Sequence, residues 1–80
     1  MSKRISLEDC VRNSLERYFK DLGDDAQPHD MLAMVIRCVE RPVLQIVLEK
    51  TNGNQSRAAE MLGITRSTLR RKLQAHEIKP

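Results

Sequence analysis

The sequence predicts an all-α fold, and two observations support that prediction. Only three glycines and three prolines interrupt the 80 residues, and apolar residues recur at helical spacing along almost the whole chain. A chain of this length forms one domain and buries only about 60% of its unfolded surface, so its own core is marginal. A partner subunit is therefore the expected supplement.

The first helix is predicted to begin at Ser6, whose hydroxyl can accept a hydrogen bond from the backbone N–H of Asp9. Gly23 is expected just beyond its C-terminal end. A polar turn over residues 24–29 follows. Five apolar side chains at helical spacing are predicted to form the buried face of this helix: Leu7, Val11, Leu15, Tyr18 and Leu22.

A second, longer helix is predicted from an N-cap at Asp30 to about Lys50. Its apolar residues cover more than one face, so a second subunit is the natural cover. Pro42 lies inside this pattern and predicts a kink, because it removes a backbone donor and crowds the carbonyl of Cys38. The alternative is two separate helices, with Pro42 at the first position of the second.

The C-terminal third predicts two short helices around a glycine. The first should run from Gln55 to about Leu62, and Gly63 should end it. The second should begin at Arg66 or Ser67 and end near Ala75.

Their apolar residues predict how these two helices pack. Leu69 and Leu73 must point inward, against Ala58 and Ala59. A small residue at the crossing, a turn glycine four places later and an apolar residue after it form the helix-turn-helix pattern.

Charge is unevenly distributed along the chain. Residues 1–50 hold eight Lys and Arg against nine Asp and Glu, a net charge of −1, whereas residues 51–80 hold six against two, a net charge of +4. A basic C-terminal face indicates a polyanionic partner, with arginine suited to guanine edges and lysine to phosphates. The alternative is a solvated basic helix on a small bundle.

Several functional classes find no support in the residues. Cys10 and Cys38 lie far apart without histidines at ligand spacing, so we expect no metal and interpret them as small apolar side chains. His29 and His76 lack a catalytic arrangement, and no phosphate loop is present, so we expect no enzyme, no cofactor and no small-molecule ligand. The polar N-terminus and short apolar runs predict a cytoplasmic protein without a membrane segment.

The run GNQSRAAEMLGITRSTLRRKL, preceded by VERPVLQIVLEKT, resembles the bacterial Fis family, the factor for inversion stimulation group of nucleoid-associated DNA-binding proteins. The resemblance covers residues 7–78. It implies one Fis-type domain over residues 1–80, with dimerisation helices over 6–51 and a helix-turn-helix over 54–76. It further implies a homodimer that bends double-stranded DNA, binds degenerate sites, and acts in nucleoid organisation and transcription regulation.

The resemblance also implies a set of DNA contacts. Asn54 and Ser56 match positions that hold phosphate, and Arg66 matches the main base-contacting arginine. Thr65 stands where the family often has Asn, and Gln74 and Ala75 replace residues that are often basic. The DNA-binding residues predicted in this way are Asn54, Ser56, Thr65, Arg66, Thr68, Arg70, Arg71 and Lys72.

Two further alternatives stay open. The C-terminal pattern also resembles the DNA-binding domain of NtrC-type activators, and the apolar middle helix also suits a helical protein-interaction module. The best-known Fis proteins carry an N-terminal β-hairpin that touches a recombinase. Since the sequence starts about where their first helix begins, we expect no recombinase contact.

Overall fold

The computed structural model describes residues 6–25 and 27–79. Within them the chain forms four helices and no strand, which confirms the all-α prediction. Two of the predicted features fall partly outside the described residues. These are the polar turn over residues 24–29, of which Ala26 is not described, and the polar N-terminus, of which residues 1–5 are not described. The helices are α1 (Leu7–Leu22), α2 (Met31–Lys50), α3 (Gln55–Leu62) and α4 (Arg66–Ala75).

Local capping explains where α1 begins and ends. The backbone N–H of Asp9 donates to Ser6 Oγ at 3.0 Å, as the sequence predicts. Gly23, at φ +90°, ends the helix. Asp30 occupies the N-cap position of α2 but makes no capping hydrogen bond, because its backbone is left-handed rather than extended. Its carboxylate instead lies 3.2 Å from His29 Nδ1.

Helix α2 continues without interruption through Pro42. The alternative of two helices separated at this residue is therefore wrong. Pro42 has no N–H to donate to the carbonyl of Cys38, so the helix lacks one backbone hydrogen bond at this point.

The hydrophobic core lies in the C-terminal half of the chain. The second half of α2 packs against α3 and α4, and Val47, Leu62, Ile64 and Ile78 surround the buried cluster. The predicted packing of the last helix against the alanines of α3 is thus confirmed. The buried residues are Leu44, Leu48, Ala58, Ala59, Leu69 and Leu73.

The predicted buried face of α1 is not buried within one chain, so that prediction is wrong for the subunit alone. No residue of α1 is buried, and Leu7 is 85% exposed. The reason is that α1 touches little of the remaining chain: Tyr18 Oη donates to Met34 Sδ at 3.7 Å. Cys10 and Cys38, interpreted from the sequence as small apolar side chains, are also exposed in the single chain.

Helix α2 also exposes apolar side chains along most of its length. Leu32 is 75% exposed, and Ile36, Val39, Val43 and Ile46 are exposed beside it. The radius of gyration is 15.6 Å, whereas a compact domain of this length has about 11.6 Å. Among the described residues, no helix is both long and apolar enough to cross a membrane.

Candidate nucleic-acid interface

The N-terminus of α3 presents two exposed polar side chains. Asn54 Oδ1 accepts from the backbone N–H of Arg57 at 3.1 Å and so caps the helix. Its Nδ2 group makes no hydrogen bond to another described residue, and Ser56 is exposed in the first turn. These donors stand at the positive end of the helix dipole, where an anion is stabilised.

Gly63 makes the turn between the two helices. It adopts left-handed geometry at φ +76°, and its N–H donates to the carbonyl of Glu60 at 3.1 Å. The N–H of Ile64 donates to the carbonyl of Ala59, also at 3.1 Å. This arrangement closes α3 and lets α4 begin three residues later.

Thr65 caps α4 with its hydroxyl. Thr65 Oγ1 accepts from the backbone N–H of Thr68 at 3.1 Å and donates to Thr68 Oγ1 at 2.9 Å. Ser67 Oγ lies 3.3 Å away. Both threonine hydroxyls are therefore engaged in starting the helix, so the Thr65 hydroxyl is less available for a base edge than that of an uncommitted side chain.

The outer face of α4 carries exposed guanidinium groups. Leu69 and Leu73 are buried, and Arg66, Arg70 and Arg71 are exposed on the remaining surface. None of these three arginines forms an ion pair with a carboxylate in the described residues. The exposed face of α4 thus presents positively charged hydrogen-bond donors that are available to a partner outside the subunit.

Lys72 differs from these arginines because it faces α2. Its Nζ donates to Glu40 Oε2 at 2.7 Å, and His76 Nε2 lies 3.0 Å from Glu40 Oε1. The hydrogen bonds from Lys72 and then His76 hold the pKa of the Glu40 carboxyl below its usual range. Sequence reasoning missed Glu40.

One sequence feature could have found this contact. Glu40 lies one helical turn before Leu44 and two before Leu48, so it extends the buried side of α2. Lys72 stands where many helix-turn-helix sequences have an apolar residue. When a carboxylate and an ammonium both occupy inward positions, the pattern predicts that they form an ion pair.

Residues 35–76 match the family of bacterial regulatory proteins called the Fis family. The chain belongs to the Fis family. This confirms the predicted resemblance and, since the family consists of helix-turn-helix regulators, the expectation that the protein is not an enzyme.

Relatives match over most of their length. A protein of Ralstonia nicotianae named Fis-like DNA-binding protein is 48% identical over 73 residues, covering 91% of this chain and 94% of the relative. A Fis-like DNA-binding protein of Neisseria meningitidis is 47% identical over 70 residues, covering 88% and 87%. The DNA-binding protein Fis of Proteus mirabilis is 45% identical over 71 residues, covering 88% and 70%.

The Fis-family match covers most of α2 and all of α3 and α4. It begins within α2, ahead of Pro42, and ends at the residue that closes α4. It therefore includes the buried cluster, the basic face and the Glu40 contact, while α1 lies before it.

Proposed function

We propose that this Fis-family protein binds double-stranded DNA as a homodimer, with α4 in the major groove. The observation that carries the proposal is the face of α4 on which Arg66, Arg70 and Arg71 are exposed without an ion-pair partner in the described residues. Such a face on the second helix of a helix-turn-helix is suited to a groove lined by phosphates and base edges. DNA is thus the polyanion that its chemistry fits best.

The side chains divide into two roles. Arg66, in the first turn of α4, is placed to read a base edge, since a guanidinium can pair bidentately with guanine O6 and N7. Asn54, Ser56 and the remaining arginines would hold phosphates and fix the register. Thr65 and Thr68 start α4, and Thr68 adds a groove-edge contact. Lys72 stays outside this set because Glu40 holds its ammonium.

A homodimer would explain the exposed apolar faces of α1 and α2. Residues 6–51 would form the dimer interface and residues 54–76 the helix-turn-helix. Two recognition helices held by one rigid interface would bend DNA to reach both half-sites, so that binding depends on DNA shape as much as on sequence. Such a protein would act in nucleoid organisation and transcription regulation, in the nucleoid of the cytoplasm.

The same apolar faces favour a second candidate, a helical protein-interaction module with a different partner chain. The mass of the purified protein in solution separates the two. A dimer of this chain supports the first candidate, whereas a monomer that needs another protein to cover α2 supports the second.

A gel-shift series tests DNA binding directly. AT-rich and random duplexes are titrated from about 50 mM to about 200 mM salt, where ten neutralised phosphates per dimer predict a slope of log affinity on log salt near −9. Arg17→Ala is the control, because it removes an exposed arginine of α1 and none of the proposed DNA contacts. This variant should have the same slope as the wild-type protein. A slope flatter than about −4, or no retardation at the lowest salt, would contradict the proposal.

A further inference from the structure

We infer that Glu40 is a positioning residue for the recognition helix, which it fastens to the part of α2 that precedes Pro42. The same contact holds the ammonium group of Lys72 between α2 and α4, away from the DNA phosphates. This inference rests on the proposed DNA binding, but its structural half can be tested without DNA.

The Glu40 carboxylate is used at both oxygens. Oε2 accepts from Lys72 Nζ at 2.7 Å, and Oε1 lies 3.0 Å from His76 Nε2. The His76 side chain is only 11% exposed, and that of Glu40 29%. Arg41 adds a hydrogen bond from its guanidinium to the backbone carbonyl of His76. Two consecutive residues of α2 therefore hold the C-terminal end of α4.

This cluster differs from the other ion pairs among the described residues. Arg12 and Glu16 are neighbours in one helix, 3.7 Å apart, and His29 and Asp30 are consecutive; all four side chains are mostly exposed. Pairs of that kind contribute little to stability. Glu40 instead joins residues 32 and 36 positions later in the chain, from a partly buried position.

The position of the cluster relative to Pro42 gives it a specific role. The apolar contacts of α2 with α4 come from Leu44 and Leu48, which both follow Pro42. Glu40 and Arg41 precede it. Because the proline leaves one helical hydrogen bond unmade, the two halves of α2 are less rigidly joined there than in an ordinary helix. The Glu40 contact bridges that point.

The consequence concerns the relation between two recognition helices. In the proposed dimer, the exposed apolar residues of α2 that meet the second copy lie on both sides of Pro42. The hydrophobic core ties α4 to the part of α2 after Pro42, and Glu40 ties it to the part before. Because the two parts are less rigidly joined at Pro42, the Glu40 contact would limit how far each recognition helix can shift or tilt, and with it the range of half-site spacings that the dimer accepts.

The test measures how DNA affinity depends on the spacing between half-sites. A residue that only stabilises the fold would not change this dependence. A tight-binding duplex is first selected by the wild-type protein from a random pool, and the distance between its half-sites is then changed by one base pair. We expect this change to weaken wild-type binding by about tenfold, the scale of one mismatched pair. For Glu40→Gln we expect about threefold or less, with binding to random duplex retained. Equal tenfold losses in both proteins would overturn the inference.

Lys72 supplies a second test that does not depend on the Glu40 variant. In the salt series, Lys72→Gln should keep the wild-type slope, whereas Arg71→Gln should flatten it by about 1.8, since each lost phosphate contact removes about 0.9 per subunit. An equal change in both variants would place Lys72 on a phosphate and overturn the inference, even if Glu40→Gln does not fold.

A double-mutant cycle separates failure of this inference from failure of DNA binding. Urea midpoints are compared for wild type, Glu40→Gln, Lys72→Gln and the double variant. The combined shift should be clearly smaller than the sum of the single shifts, because each single change breaks the same contact. If the shifts in urea midpoint are additive, Glu40 and Lys72 do not stabilise the fold through a shared contact, and the inference is overturned. If the shifts are not additive but the protein retards no duplex, only the proposed function is overturned.

Discussion

The two ends of this subunit contrast in how they use the same secondary structure. The C-terminal unit, which we define as residues 43–79, encloses a buried cluster between three helices. The N-terminal region, residues 6–42, is equally helical, yet its α1 has no buried residue. The difference teaches that capping and local apolar spacing suffice to form a helix, whereas burial requires a surface to pack on. Here one region finds that surface within the chain and the other does not.

The two regions differ in the surface they present as well. The N-terminal region exposes apolar side chains such as Leu32 and Ile36, whereas α4 of the C-terminal unit exposes arginines. Exposed apolar faces of this extent are typical of protein contacts, and an exposed row of arginines is typical of polyanion contacts. Four measurements can break or sharpen this contrast.

The largest effect is expected for Val43→Asp. Val43 lies where the exposed apolar side of α2 meets the C-terminal unit and is 41% exposed in one chain. If a second copy covers it, the new carboxylate is buried without a partner, and the dimer dissociation constant should rise by at least about a hundredfold. Sedimentation equilibrium measures this change, and loss of helical circular dichroism should accompany it.

Gln45→Glu is the matched control for that experiment. It adds a negative charge two residues away on the same helix, at an exposed position. The control should remain a folded dimer. A folded, DNA-binding monomer of Val43→Asp would mean that the N-terminal region does not need a second copy.

Leu69→Ala should show the next largest effect, because Leu69 is fully buried in the C-terminal unit. We expect a loss of about 2–5 kcal/mol in the free energy of unfolding, from the lost transfer energy and the cavity. Met61→Ala, at a position of α3 that is 56% exposed and lies outside the proposed dimer interface, should change it by about 0.5 kcal/mol or less. Urea denaturation measures both, and comparable losses would show that the C-terminal unit has no buried core of its own.

Arg66→Ala tests the basic surface of the C-terminal unit. The variant should keep its fold, since Arg66 is exposed and makes no ion pair in the described residues. Binding to a selected duplex should weaken by about 1–3 kcal/mol, and the preference for that duplex over random DNA should decrease. Unchanged affinity and preference in a gel shift would show that another side chain reads the bases.

The smallest effect is a pH dependence at the boundary between the regions. The pKa of Glu40 is lowered by Lys72 and His76, while Arg37 and Arg71 line the same groove. A carboxyl with a lowered pKa stabilises the folded state above its unfolded value, about 4.3, and loses this contribution as pH falls through its folded value. The difference in urea midpoint between wild type and Glu40→Gln should therefore be larger near pH 6 than near pH 3.

A difference that stays constant across this pH range would contradict the assignment. It would show that the carboxylate charge does not stabilise the contact between α2 and α4. The exposed pair of Arg12 and Glu16 provides a comparison, because Glu16→Gln should change the urea midpoint little at either pH.

The helices could be predicted from sequence almost to their ends, because their boundaries depend on neighbouring residues. Ser6 and Gly63 act within three or four residues of themselves, and each has the predicted role. The buried face assigned to α1 was wrong for the single chain. The spacing of apolar residues predicts that one face of a helix is covered, but it does not predict whether the same chain or a second one covers it.

The candidate site could be predicted in part. Solvent exposure of Arg66, Arg70 and Arg71 follows from burial of Leu69 and Leu73, which are neighbours on the same helix. The DNA contacts themselves stay predictions. Local pattern could have indicated that Glu40 and Lys72 both occupy inward positions, but it does not bring them together, because they lie 32 positions apart and their contact depends on how α4 lies on α2.

The Asn54 side chain uses one of its two polar groups in folding and leaves the other for the proposed phosphate contact. Its carbonyl oxygen closes the start of α3, whereas its NH₂ makes no hydrogen bond to another described residue. An aspartate has the same shape and could still accept from the backbone of Arg57, but it would exchange that NH₂ for a second anionic oxygen. If the proposed dimer and phosphate contact form, such a chain would keep its helices and still pair with normal copies, while repelling a DNA phosphate at one half of every mixed pair.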